Sequence, residues 1–160
     1  VAERARATFA RALGPDSAST AESTFVVGSV YWALGRRRDA CATWRRATDA
    51  FERALGPTSR DLRNSLTSVA ACSLDEGDPR AAAVAARRAI ALIESNQLGP
   101  FLAGPARWVL VQVLGSHRAT VAEARSHAER ALADYAGQPA QLDAAVRAAL
   151  ARWLVDHPVR

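Results

Sequence analysis

Phe9–Pro15 reads FARALGP and Phe51–Pro57 reads FERALGP, the same phrase displaced by 42 residues. More of the chain recurs at that displacement. Gly35 answers Gly77, Ala40 answers Ala82, and Arg45-Arg46-Ala47 answers Arg87-Arg88-Ala89, while Leu98-Gly99-Pro100 returns one residue late. A period of this length means a small supersecondary unit stacked on copies of itself. Leu-Gly-Pro is a helix stop, because glycine suits the left-handed residue after a helix and proline cannot extend one. Each unit therefore reads as two helices.

Spacing fills in the units. Asp16, Ser17 and Ser19 are candidate N-caps for a helix reaching about Leu34, along which Phe25, Val26/Val27, Val30, Tyr31 and Leu34 recur at helical spacing. A second helix is expected from about Arg37 to Leu55, with Ala40, Trp44, Ala47, Phe51 and Ala54 at intervals of three and four. The next pair is expected over about Ser59–Glu76 and Pro79–Ser95, and a third over about Leu102–Leu114 and Ala119–Ala136. Pro139 then opens a last helix whose stripe is Leu142, Val146, Ala149 and Trp153 and which stops before Pro158. Val1–Leu13 is the second helix of a pair without its first. The reading is eight helices and no strand, in one domain divided at 1–15, 16–56, 57–97, 98–137 and 138–157.

Composition supports close helix packing. Alanine supplies 37 of 160 residues and aromatics only 6%, so the interior must be built from small side chains. The 21 basic residues are all arginine, which excludes chemistry that needs a phosphate-binding or Schiff-base lysine. With no methionine, the chain reads as a piece of a longer protein. Two cysteines, Cys41 and Cys72, are too few for a disulfide framework or a zinc site, and are expected as buried free thiols in a reducing, cytoplasmic setting. The longest run without a charged residue or histidine, Ser23–Gly35, has 13 residues. A bilayer needs roughly 20.

The repeat resembles the tetratricopeptide repeats. Gly28, Tyr31, Gly35, Ala40, Trp44 and Ala47 stand at the small, aromatic, Gly, Ala, aromatic and Ala positions of that signature, although Thr24 replaces its opening Trp and Glu52 its closing Pro. Ala70, Ser73, Gly77, Ala82, Ala86 and Ala89 keep the small positions in the second unit. LGPDSASTAE resembles the opening of the long repeats of kinesin light chains. ARWVLVQVLG, AEARSHAERALADYAG and ARWLVDHP resemble the closing part of repeat regions at the C-termini of bacterial, myxobacterial-type serine/threonine kinases. The resemblance implies a right-handed α-solenoid and a non-catalytic scaffold for a protein or peptide partner, part of a larger signalling protein.

The family's ligand-facing positions fall on Glu22, Phe25, Ser29 and Trp32, on Asn64, Thr67, Ala71 and Leu74, and on Val109 and Gln112. Kinesin-type repeats often carry asparagine pairs where Phe25-Val26 and Thr67-Ser68 stand, so an apolar anchor on Phe25 and Trp32 is expected in place of asparagine contacts. Against that stands plain packing of Trp32 on the next pair. Arg36, Arg37, Arg38, Arg45 and Arg46 could hold an anionic partner, although the periodicity of Arg45-Arg46 and Arg87-Arg88 suits an ordinary solvated face. No catalytic residue, cofactor or metal site is expected: His117, His127 and His157 are scattered, and Glu123 with His127 reads as a surface ion pair. The alternatives are an architectural spacer or a homodimer formed through the incomplete first unit. A nucleic-acid-binding segment comes last, since a net charge of +5 is not matched by a groove-reading motif or stacking aromatics.

Overall fold

A computed structural model describes residues 2–14 and 16–158, and among them all regular structure is helical. The helices are α1 (Ala2–Leu13), α2 (Ala18–Ala33), α3 (Arg37–Leu55), α4 (Leu62–Asp75), α5 (Pro79–Ser95), α6 (Gly104–Leu114), α7 (Val121–Asp134) and α8 (Ala144–Asp156). A short 3-10 turn, Pro100–Ala103, precedes α6. Each helix packs on its chain neighbours, giving the stack of helix pairs that the repeat predicts.

Local chemistry explains most boundaries. Ser17 caps α2, its hydroxyl accepting from the Thr20 amide at 3.2 Å. Gly35 and Gly77 turn the chain out of α2 and α4 with φ of 74° and 79°. Asp78 caps α5 by accepting from the Ala81 amide at 2.9 Å, with Pro79 in the first turn. Two boundaries differ from expectation. Helix α4 begins at Leu62, since the chain makes consecutive turns after Gly56. Helix α8 begins at Ala144 and not near Pro139, because Asp143 takes a left-handed conformation (φ 49°) and a helix cannot run through it. Leu142 consequently lies before the helix, though it still packs on the last apolar cluster.

Alanine does fill the interior. Ala21, Ala40, Ala47, Ala70, Ala82, Ala86, Ala89, Ala106, Ala124, Ala128 and Ala131 are all at 0% exposure. The buried side chains form three clusters. The largest joins α3, α4, α5 and α6; a second joins Val111, Ala128, Ala131, Tyr135 and Leu150; a small third holds Ala40, Cys41, Trp44 and Cys72. The apolar stripe expected on Val1–Leu13 depends on side chains, Phe9 and Leu13 among them, that lie outside the described residues.

The expectation of two free thiols is overturned. Cys41 and Cys72 form a disulfide, with a Cα–Cα distance of 5.5 Å. Cys41 is early in α3 and Cys72 late in α4, so the bond ties one hairpin to the next. Sequence counting failed because the 31-residue separation says nothing of two helices lying side by side. The argument for a reducing compartment falls with the thiols.

Candidate functional site

The first hairpin is organised around Trp44. Gly28 of α2 leaves room for its indole: a Cβ there would stand 2.5 Å from Trp44 Cδ1 and 2.6 Å from Nε1. The indole Nε1 donates to the Phe25 carbonyl at 3.2 Å. Phe25 stacks on the same indole at 6.2 Å between centroids, and Trp32 tilts against it at 5.3 Å. The Arg37 guanidinium lies 3.5 Å from the Trp32 ring centre, and Arg36 lies 4.3 Å from that of Tyr31. Phe25 and Trp32 are half-buried, so each both packs inward and keeps an open edge. Glycine is used here for close approach, aromatics for a rigid platform, and arginine for a charged lid.

The other expected residues are dispersed. Glu22 is exposed near the start of α2, and Ser29 donates to the Phe25 carbonyl at 3.2 Å. Asn64 is exposed on α4; Thr67 donates to the Arg63 carbonyl at 2.8 Å; Ala71 and Leu74 are half-buried and pack on the central cluster. Gln112 is exposed, with its amide donating to the Trp108 carbonyl at 3.4 Å. Val109 is placed differently from the rest. It is 4% exposed inside the central cluster, because α6 turns that side toward α4 and α5.

The arginines divide into engaged and open. Arg36 pairs with Asp39 at 2.7 Å, and Arg45 makes a two-pronged contact with Glu76 across the α3–α4 seam. That hydrogen bond raises the Arg45 pKa and lowers that of Glu76. Arg87, the counterpart of Arg45, likewise reaches forward, to Glu123 of α7 at 3.0 Å. Arg88 pairs backward with Glu52 and donates to the Pro57 carbonyl at 3.1 Å. Arg45, Arg87 and Arg88 are thus clasps between units. Arg38 and Arg46 are exposed.

Two features gave no sequence signal. Arg107 of α6 is 7% exposed and lies 3.1 Å from Glu94, 3.8 Å from Asp134 and 3.4 Å from His127 Nδ1. Burial, followed by the Arg107 charge, lowers the His127 pKa, against the opposing pull of Glu123 at 3.8 Å. A cavity of about 670 Å³ opens between α7 and α8, lined by Arg118, Val121, Arg125, Asp156 and His157 among others. Of its two arginines, Arg125 donates to the His157 carbonyl at 2.6 Å and pairs with Glu129 at 2.8 Å. Among the described residues no group of acids, cysteines and histidines could hold a metal ion, and no helix is long and apolar enough to cross a membrane.

Gly28 packs under Trp44 within helix pairs repeated at a fixed interval. Residues 27–95 match the tetratricopeptide repeat. The matched segment takes in α3, α4 and α5 and the last part of α2, and so includes Trp32, Trp44, both cysteines and the Arg45–Glu76 clasp. Tetratricopeptide repeats generally mediate protein–protein interaction, and the repeat fold is typically non-catalytic. No curated protein gives a significant match to the chain.

Proposed function

We propose that the chain is a single non-catalytic repeat domain that holds a peptide or protein partner on the face carrying Glu22, Phe25, Ser29 and Trp32, continued by Asn64, Thr67, Ala71 and Leu74. The observation that carries this reading is the Trp32–Trp44–Phe25 stack with Arg37 over it. Rigid aromatics with one open edge give large contact area at small entropic cost, and Arg38 and Arg46 add selection for acidic partners. The resemblance of the closing segment to the tails of bacterial serine/threonine kinases supports a place in a larger signalling protein.

Self-association is the second reading. Val26 and Val30 of α2 and Leu34 just after it, at intervals of four, are 49%, 41% and 66% exposed, an apolar row that a second copy could cover. Affinity capture separates the two readings. Trp32→Ala and the surface pair Arg38→Glu/Arg46→Glu should each lose the captured partner with helicity unchanged, whereas Val30→Arg should leave capture intact. Capture that survives both of the first two variants removes the interaction face as drawn. A dimer abolished by Val30→Arg, with no other partner retained, would favour self-association.

A further inference from the structure

The Cys41–Cys72 bond crosses the seam between the first half of α3 and the end of α4. The second half of α3 contributes Ala50 and Phe51 to the central cluster, whereas its first half belongs to the small cluster, to which α4 contributes Cys72 as its buried member. Val69 packs there half-buried, and the Arg45–Glu76 clasp bridges the same seam with about two-fifths of each side chain exposed. The end of the hairpin that this seam ties to α4 is the tip that carries Trp32 and Arg36–Arg38. Remove the covalent bond, and a thin apolar contact with one solvent-screened ion pair must hold the tip against α4.

We propose that Cys41–Cys72 is a redox latch that fixes the Trp32–Arg38 tip against α4 and thereby regulates the interaction face. The regulatory consequence rests on the proposed function; the latch itself does not. Opening is thiol–disulfide exchange with a dithiol reductant. A thiolate of the reductant attacks one sulfur, the S–S bond breaks, and the departing cysteine takes a proton. The reductant's second thiol then displaces the remaining cysteine, so the reductant ends as a disulfide and the chain gains two electrons and two protons as two thiols. Closing is the reverse, with an oxidised dithiol as acceptor. Since Cys41 is 2% and Cys72 0% exposed, exchange waits on movement of the tip. The closed latch is therefore long-lived.

The test uses the 160-residue chain equilibrated with glutathione disulfide or with dithiothreitol. Iodoacetamide labelling in denaturant should add nothing to the first preparation and two labels to the second. Amide hydrogen exchange over residues 31–45 should rise about tenfold on reduction, while residues 82–93 and 106–111 keep their protection. Cys41→Ala/Cys72→Ala should show the faster exchange with or without reductant. Two labelled thiols in the oxidised preparation, or equal exchange at the tip in both states, overturns the latch. Where a partner is captured, the oxidised and reduced forms should differ in affinity. A tip that loosens on reduction in a chain that captures nothing supports the latch and counts against the proposed function alone.

Discussion

Replacing Gly28 with alanine tests the central contact of the first hairpin. In an open mid-helix site the change would stabilise the chain by about 1 kcal/mol, since glycine is a poor helix former. Here the new methyl would stand 2.5 Å from Trp44 Cδ1, against the 3.4 Å or more of an ordinary contact. Trp44 has little freedom to retreat, being 6% exposed, hydrogen-bonded to the Phe25 carbonyl and flanked by Phe25 and Trp32. Overpacking of this kind costs about 1–3 kcal/mol, and displacing the indole forfeits its hydrogen bond, about another 1 kcal/mol. Set against the propensity gain, a net loss of about 2 kcal/mol is expected, a fall in Tm of roughly 4–8 °C for a chain this size. Urea and thermal unfolding followed by circular dichroism would measure it. The companion variant Trp44→Leu separates packing from propensity. On that background Gly28→Ala should cost at least 1 kcal/mol less than on the parent, because the two residues share one contact. A rise in Tm for Gly28→Ala alone, or strict additivity of the pair, would refute the reasoning.

Other perturbations reach different parts of the molecule. Arg107→Met should destabilise by about 3 kcal/mol in the same unfolding assay, since it strands the Asp134 carboxylate, 8% exposed, with only the exposed Arg130 beside it at 3.1 Å. Arg45→Ala should cost less than about 1 kcal/mol despite its two-pronged contact, because both partners of the clasp are around two-fifths exposed. The folded chain holds His127 below its ordinary pKa of 6.5, so protonation favours the unfolded state. Stability should be flat above that value, fall as pH drops through it, and level off below the folded pKa. Replacing His127 with Gln should flatten Tm measured between pH 7.5 and 5.5.

Helices with strong punctuation were legible in the sequence. Arg37–Leu55 and Pro79–Ser95 lie where spacing and stop signals place them, because Gly56 and the Asp78-Pro79 cap act locally. The start of α8 was not legible, since the left-handed turn at Asp143 is fixed by a tertiary contact: its carboxylate accepts from the Tyr135 hydroxyl at 2.8 Å. At the candidate face, Gly28 and Trp44 could be read as a small residue and an aromatic at signature positions. The indole's hydrogen bond and the arginine over Trp32 could not, because each depends on which way a side chain turns. Val109 misled for the same reason: one register step on α6 separates a groove residue from a core residue. The cysteines show the limit most plainly, as two residues 31 apart become bonded only through the lateral packing of α3 on α4.

The division of the interior into a central cluster over Ala21–Ala124 and a terminal one over Val111–Leu150 has a mechanical consequence. Helix α8 packs mainly on the terminal cluster and α3–α6 on the central one, so a pull at the two termini should release α8 apart from α3–α6. Such an element should lengthen in stages before it fails.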